Sequence, residues 1–132
     1  VRHDPTEFAA RRESPANAHH RSEENRMTEV STVAVITAKP EFAAEVEAAL
    51  STLAEATHAE PGCLLYSLQR GLQEPNVFVT VEKWDSMESL QAHLASPHIT
   101  QALSTTGDLL TGPPQIIAAE MLTVGDPAKS TY

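Results

Sequence analysis

The sequence predicts an α+β domain of the ferredoxin-like, split β-α-β kind, built on a four-stranded antiparallel sheet. Three observations predict it. Stretches of strand and helix periodicity follow one another in the order β-α-β-β-α(α)-β from Thr32 to Leu122. The middle strand stretches, CLLYSLQR and VFVTVEKW, are separated only by GLQEPN, a loop of hairpin length with Gly71 and Pro75. Both faces of the strands are apolar, although the few helices can cover only one of them.

TVAVITAK, from Thr32, is a β-branched run of strand length. Pro40 stops it and suits the opening of a helix. EFAAEVEAALSTLAEATHAE then places Phe42, Val46, Leu50, Leu53 and Thr57 at helical spacing, with most of its glutamates off that stripe. Pro61-Gly62 ends this helix. After the hairpin, Asp85 is the expected cap of a short helix, with Glu88 three residues on, and Met87, Leu90 and Leu94 are its inward residues. Ser96 and Pro97 restart the chain as N-cap and first-turn proline of another helix, with Ile99, Leu103 and Leu110 on one face. Gly112-Pro113-Pro114 breaks it, QIIAAEML is the last strand, and GDPAKSTY reads as a loose end. The domain is expected over residues 29–125, after a flexible extension over 1–28 and before a C-terminal tail over 126–132.

The two-faced apolarity has a consequence. Val33 and Val35 oppose Ala34 and Ile36, and Val77, Val79 and Val81 oppose Phe78 and Trp84. A sheet covered on one side should alternate apolar and polar residues. The second face therefore needs a partner, and another copy across a two-fold axis is the simplest. The sequence predicts a homodimer joined through its sheets.

Composition narrows the function classes. A chain of 132 residues holds one domain, and 41% hydrophobic residues suit a globular core. The single cysteine, Cys63, precludes an internal disulfide and fits a reducing compartment. No apolar run reaches the length of a membrane span, so a soluble, cytoplasmic chain is expected. The net charge of −9 argues against nucleic-acid binding. That charge lies wholly after residue 26, because the first 26 residues balance five arginines against five acids. The early segment has one aromatic and no Leu or Ile, too little apolar surface to offset its ordering entropy. Its His19-His20 pair is expected to be solvated, and Met27 is the expected natural start, with Val1 an upstream alternative start codon read literally.

The residues that can do chemistry cluster in EKWDSMESLQAHLASPH, Glu82 to His98. Phe78, Thr80, Glu82 and Trp84 alternate onto one strand face, where a carboxylate lies among large aromatics. Glu82 is either a buried acid or an acid at the strand end reaching solvent. His93 falls about 60° around the helix from Leu90, at the edge of the buried stripe, where it either lines a pocket or is half exposed. An imidazole there can take a proton from a substrate hydroxyl. His98 sits in the first turn of the next helix, and His58 is expected to meet the carbonyls ending its own helix. Tyr66 is either a core residue or part of a ligand wall. No metal is expected, because His93 and His98 lack the i, i+4 spacing of helical ligands and Pro97 breaks the helix between them. Nothing in the sequence builds a nucleotide or flavin site.

EPGCLLYSL, FVTVEKW and SLQAHLASPH, in that order, resemble the antibiotic biosynthesis monooxygenase family and its quinol monooxygenase-like branch. The likeness spans about Thr32 to Leu122. It implies a dimeric α+β barrel, a pocket between sheet and helices in each protomer, and oxygenation of a small aromatic or quinol-like substrate by O₂ with no cofactor. By match of motif, His93 is the candidate base, Glu82 orients it or shares its proton, and Trp84 forms a pocket wall. Phe78, Tyr66 and His98 complete the candidate substrate-binding set. A related branch binds and degrades haem with a histidine after the Trp strand and an asparagine on the first strand, but TVAVITAK has no Asn. A noncatalytic small-ligand-binding dimer is a third reading.

Overall fold

Alternating β-branched residues draw Val30–Thr37 into the first strand, β1. The computed structural model describes residues 28–132. The extension expected over residues 1–28, with His19, His20 and Met27, thus lies outside the described residues apart from Thr28, whose hydroxyl donates to the Asp85 carbonyl. Pro40 opens a single 3₁₀ turn that runs into helix α1 (Ala43–His58), whose buried stripe is Val46, Leu50, Leu53 and Thr57. Strands β2 (Cys63–Arg70) and β3 (Val77–Trp84) form the expected hairpin. Helices α2 (Met87–Leu94) and α3 (Pro97–Thr106) follow, then strand β4 (Gln115–Ala119) and a one-turn helix α4 (Pro127–Ser130).

The sheet order is β2-β3-β1-β4, and every neighbouring pair is antiparallel. This is the ferredoxin-like arrangement. The register decides what the helices cover. Ile36 opposes Phe78, Ala34 opposes Thr80 and Thr32 opposes Glu82, while Tyr66 pairs with Glu82 from the other side. Tyr66, Glu82 and Thr32 therefore form one polar row across the inner face. The main core lies beside that row, where Val46, Leu50 and Leu53 of α1 meet Ala34, Ile36 and Phe78. A second small cluster joins Tyr66, Trp84 and Leu90. The outer face keeps Val33 and Ile117 partly exposed, at 36% and 63%. Among the described residues no helix is long and apolar enough to cross a membrane.

Several details differ from expectation. Ser86, not Asp85, caps α2, accepting from the Ser89 amide, because its hydroxyl reaches that N–H while Asp85 is taken by the Ser89 hydroxyl. The buried residues of α2 are Leu90 and His93, whereas Met87 and Leu94 are exposed. The helix is rolled so that an imidazole with a half-buried acceptor, and not a second leucine, faces the sheet. The α3 helix ends at Thr106, well before Gly112-Pro113-Pro114, and β4 is shorter than QIIAAEML. A bulge between Cys63 and Leu65 takes Leu64 out of the ladder. His58 bonds the Tyr66 carbonyl at 2.8 Å instead of its own helix end. GDPAKSTY is not loose: Asp126 caps α4, and the Tyr132 hydroxyl lies 2.8 Å from Ser31 Oγ. Lys83 also donates to the Tyr132 carbonyl and pairs with Glu29 at 3.2 Å.

Gly62 sets how closely the turn before β2 approaches α2. A Cβ there would lie 2.1 Å from Ser89 Oγ and 2.8 Å from Asp85 Oδ1. Gly62→Ala is expected to destabilise the domain by about 1–3 kcal/mol through this overpacking. Thermal unfolding measures it, and an unchanged melting temperature would contradict the close approach.

Candidate active site

A cavity of about 150 Å³ opens between the inner sheet face and helices α1 to α3. Its walls are apolar side chains, among them Ala34, Ile36, Leu50, Leu53 and Ile99. Its polar end consists of Thr32, Tyr66, Thr80, Glu82 and His93. Leu94, Leu103 and Ile116 rim it and are themselves exposed. An apolar cavity of roughly 150 Å³ accommodates one benzene ring. The size therefore suits a single-ring molecule with a polar group at one end.

Glu82 is buried at 4% exposure and is not left bare. Its carboxylate accepts from Thr80 Oγ1 at 2.7 Å and from the Trp84 indole N–H at 2.9 Å. Strand geometry makes this possible, because residues two apart share a face. Trp84 is fully buried, and its ring lies 4.6 Å from the His93 ring, centroid to centroid. The indole thus holds the acid with its edge and the imidazole with its face.

His93 is held from behind. Its Nδ1 lies 2.7 Å from Glu60 Oε2, in the turn between α1 and β2, and the same oxygen lies 2.5 Å from His98 Nε2. An ionised carboxylate only accepts, so both nitrogens meeting it donate. A neutral His93 then carries its proton on Nδ1 and its lone pair on Nε2, in a ring that lines the cavity. The corner between α2 and α3 fixes this geometry. Ser96 donates to the His93 carbonyl at 2.6 Å and caps α3 by accepting from the Ile99 amide.

Two neighbouring groups stay protonated. Burial, then the charges of Glu82, Cys63 and Glu60, raises the Tyr66 phenol well above its usual range, although Thr80 opposes the shift. Tyr66 is a hydrogen-bond donor there. Cys63 is pushed up to about 12, mainly by burial and then by Glu60 and Glu82, so it is a thiol and not a nucleophile.

The structure thus gathers His93, Glu82 and Tyr66 at one cavity. Phe78, Trp84 and His98, expected to contact substrate, lie off its lining: Phe78 in the apolar core, Trp84 behind His93, and His98 on Glu60. His93 and His98, whose spacing did not suit ligands on one helix, come together across a corner between two helices. The chain turns at Ser96-Pro97 and brings the two rings to 5.9 Å. Sequence reasoning missed Glu60 and Thr32. An acid just past a helix C-terminus opposes the helix dipole and so asks for a partner, which was a signal for Glu60. Thr32 was the hydroxyl among apolar inner-face residues of β1.

Residues 30–104 match the sequence profile of the antibiotic biosynthesis monooxygenase family, over more than half of the chain. The chain belongs to that family. An uncharacterized Synechocystis protein is 32% identical over 81 residues, which is 61% of this chain but 55% of that relative. The chain therefore spans about half the length of that protein. The Bacillus subtilis protein "Putative monooxygenase YcnE" is 28% identical over 88 residues, covering 67% of this chain and 93% of its own. A Deinococcus radiodurans crystal structure, of a "putative antibiotic biosynthesis monooxygenase", superposes with a TM-score of 0.67. It is 34% identical and covers 74% of this chain and 96% of that one. Family and fold agree.

One atom at the site is unsatisfied. Thr32 is 1% exposed, lines the cavity, and its Oγ1 has no hydrogen-bond partner among the described residues. Leaving a buried hydroxyl unpaired costs about 1–3 kcal/mol, which a bound ligand can recover. Thr32→Val, of the same shape, is expected to raise the stability of the ligand-free protein by about 1 kcal/mol. Thermal unfolding checks it, and a drop in melting temperature would show that the hydroxyl is already satisfied.

Proposed function

We propose that the protein is a cofactor-independent monooxygenase that oxidises a single-ring phenol or quinol with O₂, acting as a cytoplasmic homodimer. The observation that carries this reading is the imidazole of His93, buried at the polar end of an apolar, ring-sized cavity with its Nδ1 tied to Glu60. In this reading His93 Nε2 takes the substrate hydroxyl proton. The anion, kept from water by the apolar walls, then gives its electrons to O₂. One oxygen atom joins a ring carbon, and loss of water from the hydroperoxide leaves a carbonyl. A quinol and O₂ thus become a hydroxyquinone and water, with all electrons supplied by the substrate.

The neighbours have roles in the same scheme. Tyr66 donates toward the developing oxyanion, Thr32 binds a second polar group of the ring, and Glu82 fixes Trp84 against the imidazole. The outer sheet face, with Val33, Val35, Val79, Val81 and Ile117, is the surface that a second copy would cover. Haem is a poor fit, because its four-ring macrocycle far exceeds a cavity of about 150 Å³ and β1 offers no Asn.

A general base of this kind contributes about 10²- to 10⁴-fold. O₂ uptake with a panel of single-ring quinols, run with chelator, should therefore fall at least tenfold in His93→Ala while the dimer persists. Unchanged turnover would remove His93 from the mechanism. Ring binding without O₂ uptake in the wild type would reduce the protein to a ligand binder.

A further inference from the structure

Behind the cavity, two imidazole nitrogens from different helices converge on one carboxylate oxygen. The donor atoms of Glu60, His93 and His98 all lie within 4.8 Å of one another. They stand on fixed supports: His93 in the last turn of α2, His98 in the first turn of α3, and the two joined by the Ser96 cap. Exposure rises outward, from 2% for His93 through 15% for Glu60 to 25% for His98. An ion can thus approach from the His98 side, while water supplies further ligands there.

The donor set is informative. Two imidazoles and one carboxylate suit borderline transition ions such as Zn²⁺ or Co²⁺, whereas Mg²⁺ and Ca²⁺ prefer oxygen alone. Zinc bonds of about 2.0–2.2 Å to nitrogen and oxygen put donor atoms roughly 3.3 Å apart in a tetrahedron. The contacts of 2.7 and 2.5 Å to Glu60 need to open by less than about 1 Å. Neither Glu60 nor His98 lines the cavity, so an ion here stands behind the imidazole and out of reach of the substrate.

We propose that Glu60, His93 and His98 form a zinc-class divalent metal site whose occupation switches off His93. The ion takes the Nδ1 lone pair. Neutral His93 must then keep its proton on Nε2, the nitrogen that would receive the substrate proton, and it can no longer accept one from substrate. Metal binding stands on the geometry alone; only the inhibition rests on the function proposed above.

The test uses the full chain stripped with chelator and dialysed. Zn²⁺ is titrated by calorimetry, and Co²⁺ by its visible ligand-field absorption. The expected result is one ion per chain with nitrogen ligation, weakened at least tenfold in both His98→Ala and Glu60→Gln. Ions held elsewhere, as at His19-His20, would survive those substitutions. Zn²⁺ should raise the melting temperature of the wild type and not that of His98→Ala, which also confirms that the variant folds. In the wild type, O₂ uptake should fall as the site fills and return with chelator. No ion bound, or binding indifferent to both substitutions, overturns the site. Full O₂ uptake with the site filled overturns the switch. If no quinol supports O₂ uptake at all, the proposed oxygenation fails while the two titrations still decide the site.

Discussion

The Glu60 carboxylate, accepting from His93 and His98 through a single oxygen, is the contact on which the site depends. It ties the turn after α1 to the corner between α2 and α3, three pieces of chain that share no backbone ladder. Without that acceptor, an imidazole nitrogen at 2% side-chain exposure would be unsatisfied, at a cost of about 1–3 kcal/mol. Satisfied, it lets α2 turn an imidazole inward where its apolar pattern offered leucine. The orientation of α2 then follows, with Leu90 and His93 on Trp84 and Tyr66, and with Leu94 left at the cavity rim.

Two carboxylates consequently serve one ring, one directly and one through the indole. Glu60 fixes the imidazole through its Nδ1, and Glu82 fixes the indole that packs on the imidazole face. Each acid has two donors, and all but the part-exposed His98 are buried groups that would otherwise lack a partner. Such networks rigidify a site only when every member is satisfied. Thr32 is the exception on the cavity wall, and an unsatisfied hydroxyl facing an apolar, ring-sized space is what a ligand-binding surface leaves open.

The order of elements, the hairpin, the buried stripe of α1 and the Ser96–Pro97 restart were all legible in the sequence, because each rests on local periodicity or local cap chemistry. The alternation Phe78-Thr80-Glu82-Trp84 was legible for the same reason, but it left open whether Glu82 is buried or reaches solvent, which the helices packed over that face decide. The roll of α2 was not. On its own pattern Leu94 belongs inside and His93 at the edge; the distant Glu60 reverses that. The His93–His98 pairing was hidden behind a sequence spacing that only a helix corner could close. Thr32 stood out only as a hydroxyl among apolar inner-face residues until register placed it opposite Glu82. Contacts that join elements far apart in sequence leave no periodic trace.

Glu60 thus holds neutral His93 with its proton on Nδ1 and leaves Nε2 bare on a ring that lines the cavity. Two-bond ¹⁵N–¹H correlation spectra of the ¹⁵N-labelled, chelator-treated protein measure this tautomer directly. Neutral His93 is expected to be protonated at Nδ1, and the preference to weaken in Glu60→Gln. A neutral His93 carrying its proton on Nε2 in the wild type would contradict this.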